Sequence, residues 1–318
     1  MKISIVITVL NEEKTVGKLL DSLLTQTQKP DEIIIIDGGS KDKTAVIIRH
    51  YQKKDKRIKL LVEKSNPARA RNIGIEIAKN PIITHIDAGC LPQADWLAKL
   101  CEPFKFGKVG LVAGFYQMPA STPMNQAINV FLGVPPQRFD PTTFLPSARS
   151  VAFKKSLWEE VGGYNEKLEK AGEDTDFFYK CVKTGTRIAR VEKAVVVWKE
   201  IGNLTLFEAI KKFYFYAKGD GQAGIWWHPA KKLSSHNIKI SLVFLRYLFG
   251  LWLILISINR ASLLYLLGIL VIFYLFWSIV KWREVIKNWR ARLWLPVVQI
   301  SSDLAVMAGF TIGRINKG

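Results

Sequence analysis

Three apolar blocks near the C-terminus limit what this chain can fold into more than any other feature of its sequence. The blocks are residues 238–258, 262–280 and 294–313. At about 1.5 Å per residue, a helix of about twenty apolar residues crosses the roughly 30 Å hydrocarbon layer of a bilayer. The sequence therefore predicts a transmembrane helical region over residues 238–318. We expect a soluble domain at residues 1–220 before it, and an amphipathic, interfacial segment at 204–235.

The middle block carries no charge and is predicted to span, whereas the other two contain charged side chains. Arg246 lies in the first block, where it either reaches the interface, meets a lipid phosphate or pairs with Asp303 of the third block. Gln299, Ser301 and Ser302 accompany Asp303, so the third block either packs inside a bundle or lies in the interface. Two spans plus an interfacial helix is therefore the alternative to three spans.

Basic residues indicate the orientation in the membrane. Residues 281–292, KWREVIKNWRAR, carry five basic side chains against one acid, while the connection between the first two blocks is very short. The positive-inside rule places this basic loop, and with it the N-terminal domain, in the cytoplasm. The expectation is a multi-pass protein of the cell membrane.

The net charge of +19 indicates an anionic partner, such as a lipid surface or a phosphorylated small molecule. No zinc-finger, RNP or helix-turn-helix pattern is present, so we predict no nucleic-acid partner. Cys90, Cys101 and Cys181 have no CxxC spacing and are expected to be reduced thiols. The opening stretch MKISIVITVL is too short for a signal peptide and predicts a buried strand.

Strand-like and helix-like segments alternate through the first ninety residues. Short apolar runs rich in β-branched residues predict strands, and helical spacing of apolar residues predicts the helices between them. The predicted strands are 3–10, 32–39, 58–63 and 81–89, and the predicted helices are 11–26, 42–54 and 67–80, the first of them capped by Asn11. This alternation predicts an α/β fold with an open parallel sheet and right-handed crossovers.

Polar residues and glycines follow three of these strands. Ligands of open α/β sheets bind outside the carboxyl ends of the strands, and those ends are Leu10, Asn11 and Glu12, then Asp37, Gly38, Gly39 and Ser40, then Asp87, Ala88 and Gly89. Turns alone also favour Asn, Asp and Gly at each single end. Three such ends together favour a binding site.

The next hundred residues divide at a proline-rich stretch. Residues 115–147 hold six prolines and predict no long element, so we expect either a mobile loop over a site or a plain connection. After it, a short strand, a helix from about Lys155 and a turn at Gly162 and Gly163 are predicted. Residues 172–185, GEDTDFFYKCVKTG, predict a helix with acids in its first turn.

Six of these segments together resemble the family 2 glycosyltransferases. The segments are VITVLNEE, IIIIDGGSKDKT, ARARNIGIEIA, THIDAG, VGGYNE and GEDTDF, in this order over about residues 1 to 220. The resemblance implies an inverting enzyme with the Rossmann-like GT-A fold of the nucleotide-diphospho-sugar transferases. It also implies a nucleotide-sugar donor, either a UDP-sugar or a GDP-sugar.

The resemblance assigns donor-binding residues by position. Thr8, Asn11, Glu12 and Asp37 would contact the nucleoside, with Asp37 accepting charge-assisted hydrogen bonds; a turn or helix cap is the alternative for Asp37. Arg69, Arg71 and Asn72 match the family segment near the diphosphate, although an arginine at a helix start also commonly faces solvent. The full donor set also includes Leu10, Gly39, Ser40, Asp87 and Ala88.

The family usually carries Asp-x-Asp after the fourth strand, where a divalent cation grips the diphosphate. Here Asp87 keeps the first acid and Gly89 replaces the second. Mg²⁺ needs only one or two carboxylates when phosphates and waters complete its coordination. We therefore expect Mg²⁺ or Mn²⁺ with Asp87 as the protein ligand, and we expect Cys90 to be a small buried residue.

Inverting transfer needs a base that takes the proton of the acceptor hydroxyl. The resemblance assigns this role to Asp174, with Glu173 as a supporting neighbour and Asp176 pointing elsewhere on the helix. Acids favoured by the helix dipole are the alternative, and Asp87 with Asp174 also provides the residue types of a two-carboxylate hydrolase.

The interpretation that unites these features is a membrane-anchored inverting glycosyltransferase with a lipid or lipid-linked acceptor at the cytoplasmic face. A polyprenyl-phosphate mannosyl- or glucosyltransferase is a narrower alternative. A catalytically silent nucleotide-sugar-binding scaffold of a membrane assembly is the alternative from another class. The segment at 204–235 favours a membrane interface, although its lysines equally suit the site and its apolar face equally suits core packing.

Overall fold

The computed structural model describes residues 1–168, 170–198, 203–225, 236–257 and 261–316. It divides into two compact units. The first comprises Met1–Pro119 and Phe139–Glu200, and the second comprises Ala120–Arg138 and Ile201–Gly318.

The first unit begins with the predicted alternation of strands and helices. The strands are β1 (Ile3–Val9), β2 (Glu32–Asp37), β3 (Ile58–Val62) and β4 (Ile82–His85), and the helices are α1 (Val16–Leu24), α2 (Thr44–Lys54) and α3 (Pro67–Ile77). The four strands are parallel in the order β3-β2-β1-β4. Strands β1 and β2 are buried almost throughout, which explains their continuous apolar runs. The α/β prediction is confirmed for this half of the sheet.

The other half of the sheet is mixed. Its strands are β5 (Cys90–Pro92), β6 (Val109–Gln117), β7 (Val151–Lys154) and β8 (Arg187–Trp198), and the helices beside them are α4 (Trp96–Cys101), α6 (Lys155–Glu160) and α7 (Glu173–Lys183). Strand β7 runs antiparallel to both β4 and β6, and β6 runs parallel to β8. The described strands form one sheet in the order β3-β2-β1-β4-β7-β6-β8-β5.

Two local predictions are wrong. Residues 115–147 do contain regular structure, because β6 extends to Gln117 and helix α5 covers Pro123–Leu132. The Thr122 side chain caps α5, and a proline at the first helical position has no amide to satisfy there. Asn11 does not cap a helix: α1 starts after Thr15, and Asn11 has a left-handed backbone with φ 57°.

The core of the first unit lies between the sheet and the helices α3 and α7. Phe153 of β7 contacts Phe177 of α7, and Phe177 stacks on Tyr164 with ring centroids 4.2 Å apart. Helix α3 approaches the sheet closely because Gly74 faces Val6, where an added Cβ would lie 2.4 Å from a valine methyl. This packing holds α3 and α7 over the same part of the sheet.

The second unit is helical. It contains α5 together with α8 (Leu206–Ala223), α9 (His236–Ser257), α10 (Ala261–Val280) and α11 (Trp289–Ile315). Three of these helices, at Asn237–Ser257, Ser262–Val280 and Trp289–Ile315, are long and apolar enough to cross a membrane. Of the three alternatives for Arg246, the structure shows pairing with Asp303, since the guanidinium lies 2.7 Å from the carboxylate. Asp303 also accepts hydrogen bonds from Tyr247, Tyr274 and Gln299.

Helix α8 begins with a capping box between Thr205 and Glu208, as expected for an amphipathic helix that starts near residue 204. Phe207 is exposed, and the buried residues are Ala209, Phe213, Ala217, Gly219 and Gly221. Small residues occupy much of the buried face of α8 because this helix packs directly against the glycines of α11. A Cβ on Gly309 would lie 2.1 Å from a carbonyl oxygen of α8. The predicted interfacial residues 226–235 lie outside the described part of the chain.

Candidate active site at the strand ends

The ends of β1, β2 and β4 lie side by side because β1 pairs in parallel with both neighbours. The three polar strand ends of the sequence therefore meet at one edge of the sheet. Strands lie about 4.8 Å apart, so this edge is narrow enough for one small ligand to touch all three ends.

Asp37 ends strand β2 and is fully buried. Its Oδ1 accepts hydrogen bonds from the backbone amides of Gly39, at 3.0 Å, and Ser40, at 2.7 Å. Its Oδ2 is also buried but has no donor in the described part of the chain. One oxygen thus shapes the turn, while the other remains available to a ligand donor.

The loops after β1 and β2 are tied together by Asn11. Its backbone amide donates to Oγ of Ser40 at 2.8 Å, and its Oδ1 accepts from the Lys41 amide at 2.9 Å. The Glu12 amide donates to Oγ1 of Thr44. Leu10, which directly precedes Asn11, is 55% exposed at the carboxyl end of β1. These contacts hold Leu10, Asn11 and Glu12 in one conformation beside Ser40, and Thr8 precedes them within β1.

Arg71 of helix α3 connects the fourth strand end to helix α7. Its Nη2 lies 3.4 Å from Oδ1 of Asp87, and its Nη1 lies 2.5 Å from Oε1 of Glu173. The arginine and the glutamate are buried, whereas the Asp87 side chain is 36% exposed. Arg71 thereby brings together two predicted site acids from distant parts of the chain, and Asp174 follows Glu173 directly.

Burial is the largest single influence on the pKa values around Arg71. Burial raises the pKa of Glu173; the positive charge of Arg71 partly offsets this rise, and the negative charge of Asp174 adds to it. Burial disfavours the guanidinium, but Glu173 and Asp87 hold the pKa of Arg71 well above its ordinary value. Burial, together with the arginine charge, lowers the pKa of His85 to about 3. The histidine is therefore neutral near pH 7, and Arg71 is the fixed cation of this region.

Asp174 lies in the first turn of α7 and is half-buried. Its Oδ1 accepts a hydrogen bond from the Thr175 amide at 2.8 Å. Asp176 instead pairs with Lys180 on the same helix at 2.8 Å, so it points elsewhere, as predicted. Gly172 adopts a left-handed backbone, φ 89°, immediately before the helix. Of the three acids in this turn, Asp174 is thus the one without an ion pair in the described structure.

Arg69 and Asn72 both contact the segment around residues 158–166. Arg69 is exposed and pairs with Glu63 and Glu166. The Asn72 side chain donates to the Tyr164 carbonyl and accepts from the Tyr164 amide, with 2.9 Å for each bond. These contacts fix the segment, and donor binding by either side chain stays a prediction.

The donor set for a cation consists of a single carboxylate. Asp87 pairs with Arg71 through Oδ1, which leaves Oδ2 of a partly exposed side chain for a metal ion. Ala88 is buried beside it, and Cys90 is buried as predicted. In the described residues no group of three His, Cys, Asp or Glu side chains is placed to hold a metal. The site therefore fits a cation that takes most of its ligands from phosphates and water.

Sequence reasoning missed two residues that surround Arg71. The Tyr164 ring lies 5.6 Å from the guanidinium carbon. His85 contacts Tyr164 and Phe153, and its Nδ1 bonds to the Val6 carbonyl. Neither residue has a spacing that signals its position; only the buried setting of His85 within an apolar strand is unusual.

Comparisons with known proteins show which family and which fold this chain resembles. The profile of the family described as Glycosyl transferase family 2 matches residues 4–159. The uncharacterized glycosyltransferase EpsJ of Bacillus subtilis (strain 168) is 23% identical over 212 residues, which cover 63% of this chain and 62% of that protein. The chain thus matches less than two thirds of the length of this curated relative.

Two solved structures share the fold. The mannosyltransferase PcManGT from Pyrobaculum calidifontis, in complex with GDP-Man and Mn²⁺, is similar with a TM-score of 0.58 and 17% identity, covering 99% of this chain and 86% of that one. S. aureus TarS 1–349, in complex with UDP-GlcNAc, is similar with a TM-score of 0.53 and 19% identity, covering 73% of this chain and 69% of that one. The predicted GT-A fold is confirmed.

Proposed function

This chain belongs, through its residues 4–159, to glycosyl transferase family 2, and we propose that it is an inverting glycosyltransferase of the membrane. It transfers a sugar from a nucleotide-sugar donor to a lipid or lipid-linked acceptor at the cytoplasmic face. The observation that carries the proposal is the Arg71 bridge, because it sets Asp87 and the Glu173–Asp174 pair around one arginine.

The nucleoside of the donor binds at the ends of β1 and β2. The unpartnered Oδ2 of Asp37 accepts a hydrogen bond from a ribose hydroxyl or a base N–H. Thr8, Leu10, Asn11, Glu12, Gly39 and Ser40 line the same strand ends. The related structures hold UDP, UDP-GlcNAc or GDP-Man, which supports a UDP- or GDP-sugar as the donor.

Transfer proceeds by a single displacement. The acceptor oxygen attacks the anomeric carbon, the bond from that carbon to the diphosphate oxygen breaks, and the nucleoside diphosphate leaves from the opposite face. Asp174 accepts the proton that the acceptor hydroxyl loses. Glu173 and Arg71 hold the first turn of α7, and therefore Asp174, in place.

A divalent cation, Mg²⁺ or Mn²⁺, fits beside Asp87, which would hold it through Oδ2. When bound, it neutralises charge on the departing diphosphate.

The membrane location is supported by the three helices long enough to span. The basic loop 281–292 favours a cytoplasmic catalytic domain. A lipid acceptor is consistent with an enzyme anchored at the surface where such acceptors are found, and a polyprenyl phosphate is the narrower candidate.

Gly89 in place of the usual second acid favours one competing function, a silent nucleotide-sugar-binding scaffold. An assay of the purified protein distinguishes a glycosyltransferase from such a scaffold. The full-length protein is incubated with UDP- and GDP-sugars and a membrane lipid extract, with Mg²⁺, with Mn²⁺ and with EDTA, and the lipids are analysed by mass spectrometry. An enzyme gives a lipid product heavier by one sugar; a scaffold binds the donor and gives none.

The Asp87→Ala variant refines the same experiment. We expect it to abolish product formation, whereas Asp95→Ala, which removes an exposed acid paired with Lys99, should retain activity. Full turnover by Asp87→Ala would remove Asp87 from the mechanism.

A further inference from the structure

Arg149 lies at the same edge of the sheet as the candidate active site. It stands two residues before β7 in the chain, and β7 runs antiparallel to β4, with Val151 opposite His85. Asp87 follows His85 by two residues. The chain therefore reaches Arg149 on one strand and Asp87 on its neighbour at the same level of the sheet.

The carboxyl ends of β6 and β8 lie at this edge as well. Strand β6 is antiparallel to β7 and therefore parallel to β4, and β8 is parallel to β6. Tyr116 is the last residue but one of β6, and Trp198 is the last residue of β8. Trp198 also pairs with Cys90, which follows Asp87 by three positions. The two aromatic rings thus belong to the surroundings of Asp87.

These two rings hold the Arg149 side chain. The guanidinium carbon lies 3.8 Å from the centre of the Trp198 ring and 5.0 Å from the centre of the Tyr116 ring. Nη1 of the guanidinium donates to Oγ of Ser147 at 3.0 Å. Both rings are buried, whereas Arg149 is half-buried. The packing therefore fixes a planar cation of which part stays exposed.

The order of the strands matches the order of the groups in a nucleotide sugar. The described strands include the run β2-β1-β4-β7-β6-β8 across the sheet. Under the proposed function, the nucleoside lies at the ends of β2 and β1, and the diphosphate lies at Asp87, after β4. A diphosphate joins the nucleoside on one side to the sugar on the other. The sugar then lies beyond β4, towards the strand ends that hold Arg149.

A fixed guanidinium suits the oxygen atoms of a sugar. It carries five N–H donors in one plane and no acceptor, and only one of its nitrogens donates to Ser147. The ring and hydroxyl oxygens of a sugar are acceptors at fixed spacings. Two N–H groups on a rigid support therefore distinguish sugars by the positions of these oxygens, which the point charge of a lysine cannot do.

We propose that Arg149 is a specificity-determining residue that donates hydrogen bonds to the transferred sugar of the donor, and that Trp198 and Tyr116 are its positioning residues. This inference rests on the proposed function. It adds to that function a residue that recognises the sugar, separate from those that bind the nucleoside and the diphosphate.

Calorimetric titration with matched ligands tests the proposal. The purified full-length chain in detergent, with Mn²⁺ present, is titrated with UDP, UDP-GlcNAc, GDP and GDP-mannose. Arg149→Gln removes the charge and the planar set of donors, whereas Arg149→Lys keeps the charge alone. Arg187→Gln is the matched control, because Arg187 is exposed at the first position of β8, at the opposite edge of the sheet.

We expect Arg149→Gln to bind the sugar nucleotide that wild type binds about tenfold more weakly, as for a lost hydrogen bond from a charged group. Its affinity for the matching nucleoside diphosphate should stay within about twofold of wild type. Arg149→Lys should show a smaller loss of the sugar nucleotide alone. Arg187→Gln should keep both affinities.

The ratio of the two affinities separates a sugar contact from a folding defect, because an unfolded variant loses both ligands. If Arg149→Gln does not fold, Arg149→Lys decides: wild-type affinity for both ligands would contradict the inference.

Two further results would overturn it. Equal losses of both ligands in folded Arg149→Gln would assign Arg149 to the diphosphate, and unchanged binding of both would remove it from the donor site. Failure of wild type to bind any of the four ligands would overturn the proposed function and this inference with it. Sugar-nucleotide binding that does not depend on Arg149 would overturn this inference alone.

Discussion

Nη1 of Arg71 lies 2.5 Å from Oε1 of Glu173, although 102 positions separate the two residues in the sequence. This buried ion pair ties helix α3 to the first turn of α7, where the proposed base Asp174 follows. The position of the base therefore depends on an arginine that sequence reasoning assigned to the diphosphate.

Removal of this arginine should destabilise the first unit. Arg71→Met leaves the Glu173 carboxylate buried without its cation, which typically costs about 3–5 kcal/mol. Arg69→Met, two residues earlier, removes an exposed ion pair and should cost less than about 1 kcal/mol. Chemical unfolding in detergent measures both. Equal stability of the two variants would contradict the structural role of Arg71.

Asp174 and Asp176 offer a matched pair for testing the base. Asp174→Asn should reduce the turnover rate by about 10²–10⁴-fold, the usual contribution of a general base, with little change in melting temperature. Asp176→Asn loses only a salt bridge within its helix and should stay within a few-fold of wild type. Steady-state rates with a hydroxyl acceptor measure both effects. Similar losses of turnover in the two variants would argue against Asp174 as the general base.

Glu32 provides a prediction about acid stability. Burial opposes its ionisation, but hydrogen bonds from Lys59, Ser4 and the Lys79 amide lower its pKa below the ordinary 4.5. A carboxylate whose pKa is lower in the folded state stabilises the protein above its unfolded pKa, and this contribution is lost as the pH falls through the folded value. Glu32→Gln should therefore unfold more readily near pH 7.

The pH profile separates the charge of Glu32 from its packing. The stability difference between wild type and Glu32→Gln should shrink as the pH falls from about 4.5 through the lower folded pKa of Glu32, because folded wild type becomes protonated over this range. Denaturant midpoints at a series of pH values give this difference. A gap that stays constant down to low pH would assign the effect of Glu32 to packing alone.

Gly309 and Gly250 test the contact between α8 and α11. A Cβ on Gly309 would lie 2.1 Å from the Tyr214 carbonyl oxygen, whereas a Cβ on Gly250 meets nothing within 4 Å. Gly309→Ala should force the helices apart and cost about 1–3 kcal/mol, while Gly250→Ala should not destabilise. Melting temperatures of the two purified variants provide the comparison, and a neutral Gly309→Ala would mean that the helices are less closely packed.

The sequence predicted the parallel half of the sheet because its strands and helices follow simple periodic patterns. It also placed Asp37 and Asp87 at strand ends, because a polar residue after an apolar run is visible locally. In the mixed half the short strand β7 and the helices α6 and α7 were predicted, but strands β6 and β8 were not. Strand β8 was missed because it mixes charged and apolar residues along Arg187–Trp198. Helix α5 was missed because its nearby prolines suggested a loop, although one of them begins the helix.

Contacts between distant segments could not be predicted from local sequence patterns. The pairing of Arg71 with Glu173 and the packing of Tyr164 and His85 around it depend on how α3 and α7 cross the sheet. Spacing within one helix shows which residues share a face, but it does not show which acid a buried arginine meets.

The buried Oδ2 of Asp37, which has no hydrogen-bond donor among the described residues, carries an energetic cost. A carboxylate oxygen held away from both water and donors raises the free energy of the native state, and the surrounding strands supply the stability to tolerate it. Under the proposed function, a nucleoside that donates a hydrogen bond to this oxygen would recover that free energy on binding. Part of the donor affinity would then already be stored in the fold before any phosphate or sugar is recognised.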